Sequence, residues 1–310
     1  MYALAGSMNL QAVEAWARLT YIECLEAGYT AVGEFHYLHH GPGGSPWPDP
    51  IAASRAMLRA ARQTGIRITL LWTVYARGGL GIPLTPEQRR FGVQDIEEVW
   101  RHVDALRPHV DGRLSRLGLA IHSVRAVPPA WLGPLAEGAR DRGLVLHAHV
   151  SEQRREVSNC REVTGLSPVG LLQREGVLGD TFTAVHATWL DDEDLTMLAK
   201  SGATVALCPS TEGDLGDGVP RTKDLYAHHV PLAIGSDSHA VIDPFTELRL
   251  LTYQARAAAE ARCVLAGADG RVSPTLARIS HENGYQALGL DGDGDRVGIR
   301  RESTALTHCE

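Results

Sequence analysis

Paired cysteines, basic charge and long apolar runs are all scarce in this 310-residue chain. The five cysteines, Cys24, Cys160, Cys208, Cys263 and Cys309, are an odd set with no C-x-x-C spacing. That argues against a disulfide framework and for a reducing, cytoplasmic compartment. A net charge of −7 leaves no basic footprint, so nucleic acid is not an expected partner. No apolar run approaches the length of a membrane span, and the first residues lack a charged region followed by a long apolar core. What is present, 44% hydrophobic and 22% charged residues, is the make-up of a folded domain of enzyme size.

Along the chain, apolar residues at helical spacing predict helices over 10–27, 51–64, 95–107, 129–142, 167–174, 191–201, 221–229, 248–265 and 274–288. Between them, β-rich stretches predict seven strands, over 30–35, 67–75, 116–121, 143–149, 181–186, 203–208 and 230–236. Strands alternating with helices argue for a parallel α/β architecture. Polar residues cluster just past the carboxyl ends of several strands: Tyr37, His122, His149, Glu152, His186, Thr211 and Asp237. A doubly wound sheet would gather such groups at one switch point, whereas a (β/α)8 barrel spreads them over many strand ends. The expected fold is the barrel.

The stretch that organises the chain is residues 144–153, LVLHAHVSEQ. His147 and His149 stand two apart, so both imidazoles leave the same face of a strand, and Glu152 follows where the strand runs into a loop. Two imidazoles and a carboxylate at a strand's carboxyl end suit a metal site with an adjacent proton-transfer group. His186 follows the next strand and Asp237 the last one. In a closed barrel these ends share one mouth, so groups far apart in sequence can converge there. Each residue also has a plainer role open to it. His186 can be a strand-end hydrogen-bonding group, Asp237 a helix cap, and His147 part of the core.

The motifs H-A-H-x-x-E, V-H-A-T, C-P-S-T-E-x-x-L-G-D-G and I-G-S-D-S-H, in that order, resemble the deaminase branch of the amidohydrolase superfamily. Residues 28–40, GYTAVGEFHYLHH, and 214–218, DLGDG, narrow the resemblance to the formimidoylglutamate deiminase family. It runs from about residue 10 to about residue 254. This implies a (β/α)8 barrel that binds one zinc ion per chain and hydrolyses a C=N carbon with release of ammonia. By position, the resemblance implies that His149 and Asp237 ligate the metal and that Glu152 carries protons to the leaving nitrogen. His186 would orient the water or take its proton, and Asp237 would share in catalysis. Tyr37, His122 and Arg125 match substrate-binding positions. A guanidinium at Arg125 would suit a small dicarboxylate substrate, since it can hold a carboxylate by two parallel bonds. The resemblance also implies a homodimer.

In that family the first strand carries an H-x-H that supplies two zinc ligands, and no such strand is found here. His36, His39 and His40 follow a different strand and are poor substitutes. The expectation is therefore a barrel lacking its first strand, two histidine ligands and the small β-sandwich, in a chain truncated at its start and inactive or weak as written. Residues 1–290 are read as the incomplete barrel and 291–310 as a tail expected to be disordered. The acidic run Asp291, Asp293 and Asp295, with Glu302 in the twelfth position, has Arg296 where a calcium loop needs glycine. Two other functions fit the same motifs: deamination of an aminopurine or other cyclic amidine, and a degenerate, non-catalytic barrel.

Overall fold

The computed structural model describes residues 6–290, so the tail and its acidic run lie outside the described residues. Seven parallel strands form one sheet in chain order: β1 (Ala31–His36), β2 (Arg67–Val74), β3 (Ser115–Ser123), β4 (Leu146–Val150), β5 (Phe182–His186), β6 (Thr204–Leu207) and β7 (Leu232–Ile234). Every neighbouring pair is parallel, as helical crossovers between successive strands require. The sheet curls into a TIM-type barrel with an opening: β1 and β7 each have a single strand partner among the described residues. This is the seven-stranded α/β barrel expected from the sequence.

Twelve helices surround it among the described residues. They are α1 (Leu10–Ala27), α2 (Ala52–Thr64), α3 (Ile96–Leu106), α4 (Pro129–Asp141), α5 (Arg154–Thr164), α6 (Pro168–Arg174), α7 (Asp192–Ser201), α8 (Pro209–Asp214), α9 (Thr222–Ala227), α10 (Pro244–Ala259), α11 (Ser273–Ser280) and α12 (Glu282–Ala287). Local chemistry sets their ends. Asn9 caps α1 by accepting from the Ala12 N–H, and Gly28 ends it at φ 105, a conformation only glycine takes cheaply. Asp191 and Asp194 cap α7 reciprocally. β2 is buried from Ile68 to Val74, the near-continuous apolar run of a strand covered on both faces.

Four helical expectations are corrected. Helix α10 starts at Pro244 rather than at 248 and stops at Ala259, because Asp243 caps it by accepting from the Phe245 N–H and Glu260 turns left-handed at φ 49. The helix expected over 274–288 is two, broken at His281, whose φ of −127 and ψ of −79 leave the helical region. Helices α5 and α8 were not expected: α5 buries only Glu156 and Cys160 and so has no apolar stripe to read, and α8 is a short six-residue helix within the polar CPSTE stretch.

Helices α11 and α12 close the amino end of the barrel. Asn283 donates to the Leu232 carbonyl at the start of β7 (2.7 Å), while the Tyr285 hydroxyl meets Thr30 just before β1 (2.6 Å). Helix α12 thus spans the two edge strands of the sheet. Above it the interior is not packed. Gly33, Ala206 and Ala233 line a cavity of about 1750 Å³, where complete barrels carry layers of bulky branched side chains.

Candidate active site

The cavity opens at the carboxyl ends of the strands, and the focal strand supplies its floor. His149 Nδ1 donates to the His122 carbonyl (2.7 Å), so its Nε2 keeps a lone pair for the cavity. That carbonyl is in reach because the register between β3 and β4 slips between Ile121 and Ser123, a bulge beside the site. His186, from the next strand, stacks on His149 with ring centres 5.5 Å apart. It stands at φ 70, and Ser151, Ala187, Asp237 and His239 are also left-handed without being glycine. Such backbone costs on the order of 1 kcal/mol or more per residue and clusters where geometry serves chemistry.

One ligand atom each from His149, His186 and Asp237 lies within 4.8 Å of the others. Two imidazoles and a carboxylate are the donor set of an open zinc site, in which three protein groups leave one position for water. The set fits that metal, and it includes His186, which sequence reasoning had placed beside the metal rather than on it. His186 Nε2 is 3.8 Å from Asp237 Oδ2, while Nδ1 faces Glu212 Oε1 at 3.3 Å. Glu212 Oε1 also accepts from the Cys208 N–H (2.8 Å) and is fully buried. Burial alone would lower the His186 pKa, but Glu212, Glu152 and Asp237 together raise it. Burial, with His186 beside it, keeps His149 below the usual imidazole range.

Glu152 and Arg125 are brought together at the rim. Arg125 Nη2 donates to Glu152 Oε2 at 3.0 Å, and Arg125 Nε lies 3.9 Å from Glu156 Oε2. The guanidinium expected to await a substrate therefore already holds a carboxylate. His122 sits between Tyr37 (ring centres 5.5 Å) and His149 (5.0 Å) on the cavity wall. Burial drives its pKa well down, with His149 and Arg125 adding to the effect, so it enters the site as a neutral donor or acceptor.

The other histidines are placed elsewhere. His147 is buried and bonds the Ala287 carbonyl of α12 (2.7 Å), a structural role. His39 stacks on Trp72 and bonds the Thr73 carbonyl, and His40 bonds the Gly92 carbonyl. Neither joins the candidate donor cluster of His149, His186 and Asp237. Sequence reasoning missed Glu156, Glu212 and Asp217. Glu212 stood in view inside C-P-S-T-E, but a carboxylate in a polar motif carries no sign of which imidazole it will meet. Asp217, from DLGDG, is buried with Oδ2 unpartnered, and its pKa is raised chiefly by burial.

Residues 1–298 match the model of the amidohydrolase family. A formimidoylglutamate deiminase of Pseudomonas aeruginosa is 36% identical over 99% of this chain and 68% of its own length. A 5-methylthioadenosine/S-adenosylhomocysteine deaminase of Shouchella clausii is 27% identical over 80% of this chain and 53% of its own. The crystal structure of an amidohydrolase from Brucella melitensis superposes with a TM-score of 0.88 at 37% identity, over 93% of this chain and 64% of that one. An adenosine deaminase from Xanthomonas campestris with bound zinc shares the fold at a TM-score of 0.74 and 23% identity. The chain spans between about half and two thirds of these proteins.

Proposed function

Because this chain belongs to the amidohydrolase family, we propose that it is the barrel of a deiminase that hydrolyses N-formimidoyl-L-glutamate to N-formyl-L-glutamate and ammonia, a step of histidine degradation. The observation that carries the reading is one cluster: the His149, His186 and Asp237 donors with Glu152 and Arg125 at the same mouth. A dicarboxylate needs a fixed cation, and Arg125 is the guanidinium that lines the cavity beside the donors.

Zinc held by those three side chains would lower the pKa of a bound water to roughly 7. The remaining tasks fall to the chain. Glu152 takes a proton from the attacking water as the C–O bond forms and passes it to the nitrogen, turning C=N into a single bond. It then moves the remaining hydroxyl proton to that nitrogen as the carbonyl forms and the C–N bond breaks to ammonia. His186, held by Glu212 at Nδ1, keeps Nε2 turned toward Asp237 and the metal position. Arg125, with Tyr37 and His122 on the same wall, orients the glutamate carboxylates. The cytoplasm is the compartment we assign, in keeping with the free thiols of Cys24, Cys160, Cys208 and Cys263. No helix among the described residues is long and apolar enough to cross a membrane. The expected assembly is a homodimer, which light scattering would check.

The deciding experiment measures zinc per chain together with ammonia release from N-formimidoyl-L-glutamate and, separately, from 5-methylthioadenosine. Zinc near one per chain with turnover of the formimidoyl substrate, abolished in Arg125→Ala, supports the reading. A zinc-loaded chain that deaminates only the purine sinks it.

A further inference from the structure

Glu156 takes no part in the proposed chemistry, yet it touches both residues that do. It sits in the first turn of α5, 2% exposed. Its Oε2 accepts from the backbone N–H of Glu152 at 3.0 Å and lies 3.9 Å from Arg125 Nε. Its Oε1 has no hydrogen-bond partner, and neither has Arg125 Nε. Arg125 meanwhile gives its Nη2 hydrogen to Glu152 Oε2. One guanidinium therefore lies between two carboxylates, one at the cavity rim and one behind it. The turn that joins them is strained, since Ser151, just before Glu152, stands at φ 50 with its hydroxyl unpartnered.

We propose that Glu156 is a positioning residue that pins the Glu152 turn through its backbone N–H and shares Arg125 with Glu152, so that its charge sets how much of the guanidinium is left for an incoming carboxylate. This rests on the deiminase reading for the identity of that carboxylate. The pinning and the sharing stand on the geometry alone. With Glu156 ionised, Arg125 is drawn toward α5 and the rim is more negative. With Glu156 neutral, the pull is gone and the rim favours an anion.

The charged and titratable groups that face Glu156 are few. Arg125 comes from the segment after β3, Glu152 from the turn after β4, and the buried Cys160 thiol from its own helix. Burial raises the Glu156 pKa to about 7, Arg125 opposes the rise, and Glu152 adds to it. The switch thus falls where it can be followed under native conditions.

The test is proton–nitrogen NMR of the Arg125 Nε–H in the ligand-free protein from pH 6 to 8, assigned by its loss in Arg125→Lys. The variant is Glu156→Gln, which keeps an oxygen for the Glu152 N–H and removes only the charge. In the wild-type protein the signal moves with a midpoint near 7, and in Glu156→Gln it stays flat with the melting temperature retained. A signal that titrates alike in both proteins overturns the proposal, as does one that titrates in neither. Calorimetry with glutarate, a plain dicarboxylate, separates this from the deiminase reading. Binding at pH 8 should tighten about fivefold in Glu156→Gln, the effect of one nearby charge at the protein surface. If the NMR behaves as expected and the wild-type protein binds no glutarate, the positioning role stands and the dicarboxylate reading falls.

Discussion

At the amino end of the barrel Thr30, Thr69, Arg116 and His147 all find partners on α12 or the two residues after it. At the carboxyl end Arg125, Ser151, Glu156, Glu212 and Asp217 each keep a buried polar atom without one. Left-handed non-glycine residues are also more frequent at the carboxyl ends, where His186, Ala187, Asp237 and Ser151 stand, than at the amino end, where His229 precedes β7. A buried polar group left unpaired costs about 1–3 kcal/mol. The amino end therefore stabilises the chain, and the carboxyl end lowers its stability in exchange for an arrangement that can bind and move protons. The same polarity separates the two histidines of one H-x-H. His147 serves the amino end, and His149, two residues on, serves the other.

The largest test of that contrast is Tyr285→Ala. The ring is 5% exposed and joins Thr30 and Arg67 to α12, so its loss should cost about 3–5 kcal/mol in urea unfolding and leave zinc affinity unchanged. If zinc binding fell with stability, the two ends would be one unit. His36 offers the opposite probe, at the carboxyl end of β1. Burial lowers its pKa from 6.5 to about 4, so between those values the unfolded chain binds the proton better. The contribution is intact above pH 6.5 and is lost as pH falls toward 4, by about 3 kcal/mol. His36→Phe should therefore match the wild-type protein at pH 7 and exceed it in stability at pH 4. Parallel pH curves would show that this imidazole does not make the carboxyl end acid-sensitive.

His149→Ala should weaken zinc binding by about a hundredfold or more, with the metal-free melting temperature within a few degrees of wild type. A large fall in melting temperature would show that the donor also holds the fold. The smallest effect is expected at Asn283→Ala, which removes one bond to the Leu232 carbonyl. About 1 kcal/mol should be lost in urea unfolding, with no change in metal binding. An effect several times larger would mean that the bridge from α12 to β7 closes the barrel cooperatively.

Much of this was legible before any coordinates. All seven strands were placed from β-rich stretches between helices, as with Ile68, Leu70, Trp72 and Val74 alternating along β2. The end of α1 was readable from Gly28, whose φ of 105 excludes most side chains. The site candidates could be named from strand ends and motif order. Helix α5 could not, because its buried residues are a carboxylate and a thiol. Nor could the break at His281, where no proline or glycine marks the chain.

By itself the sequence determined the periodicities, the caps and the kinds of side chain at each strand end, since these depend on neighbours a few residues away. Only the tertiary structure decided that His186 joins His149 and Asp237 within 4.8 Å, that Arg125 is shared between Glu152 and Glu156, and that α12 closes the end opposite the site. Those contacts join residues tens to hundreds of positions apart. They exist because the curl of a parallel sheet brings strand ends to a common mouth, and no local pattern in the chain records which of them will touch.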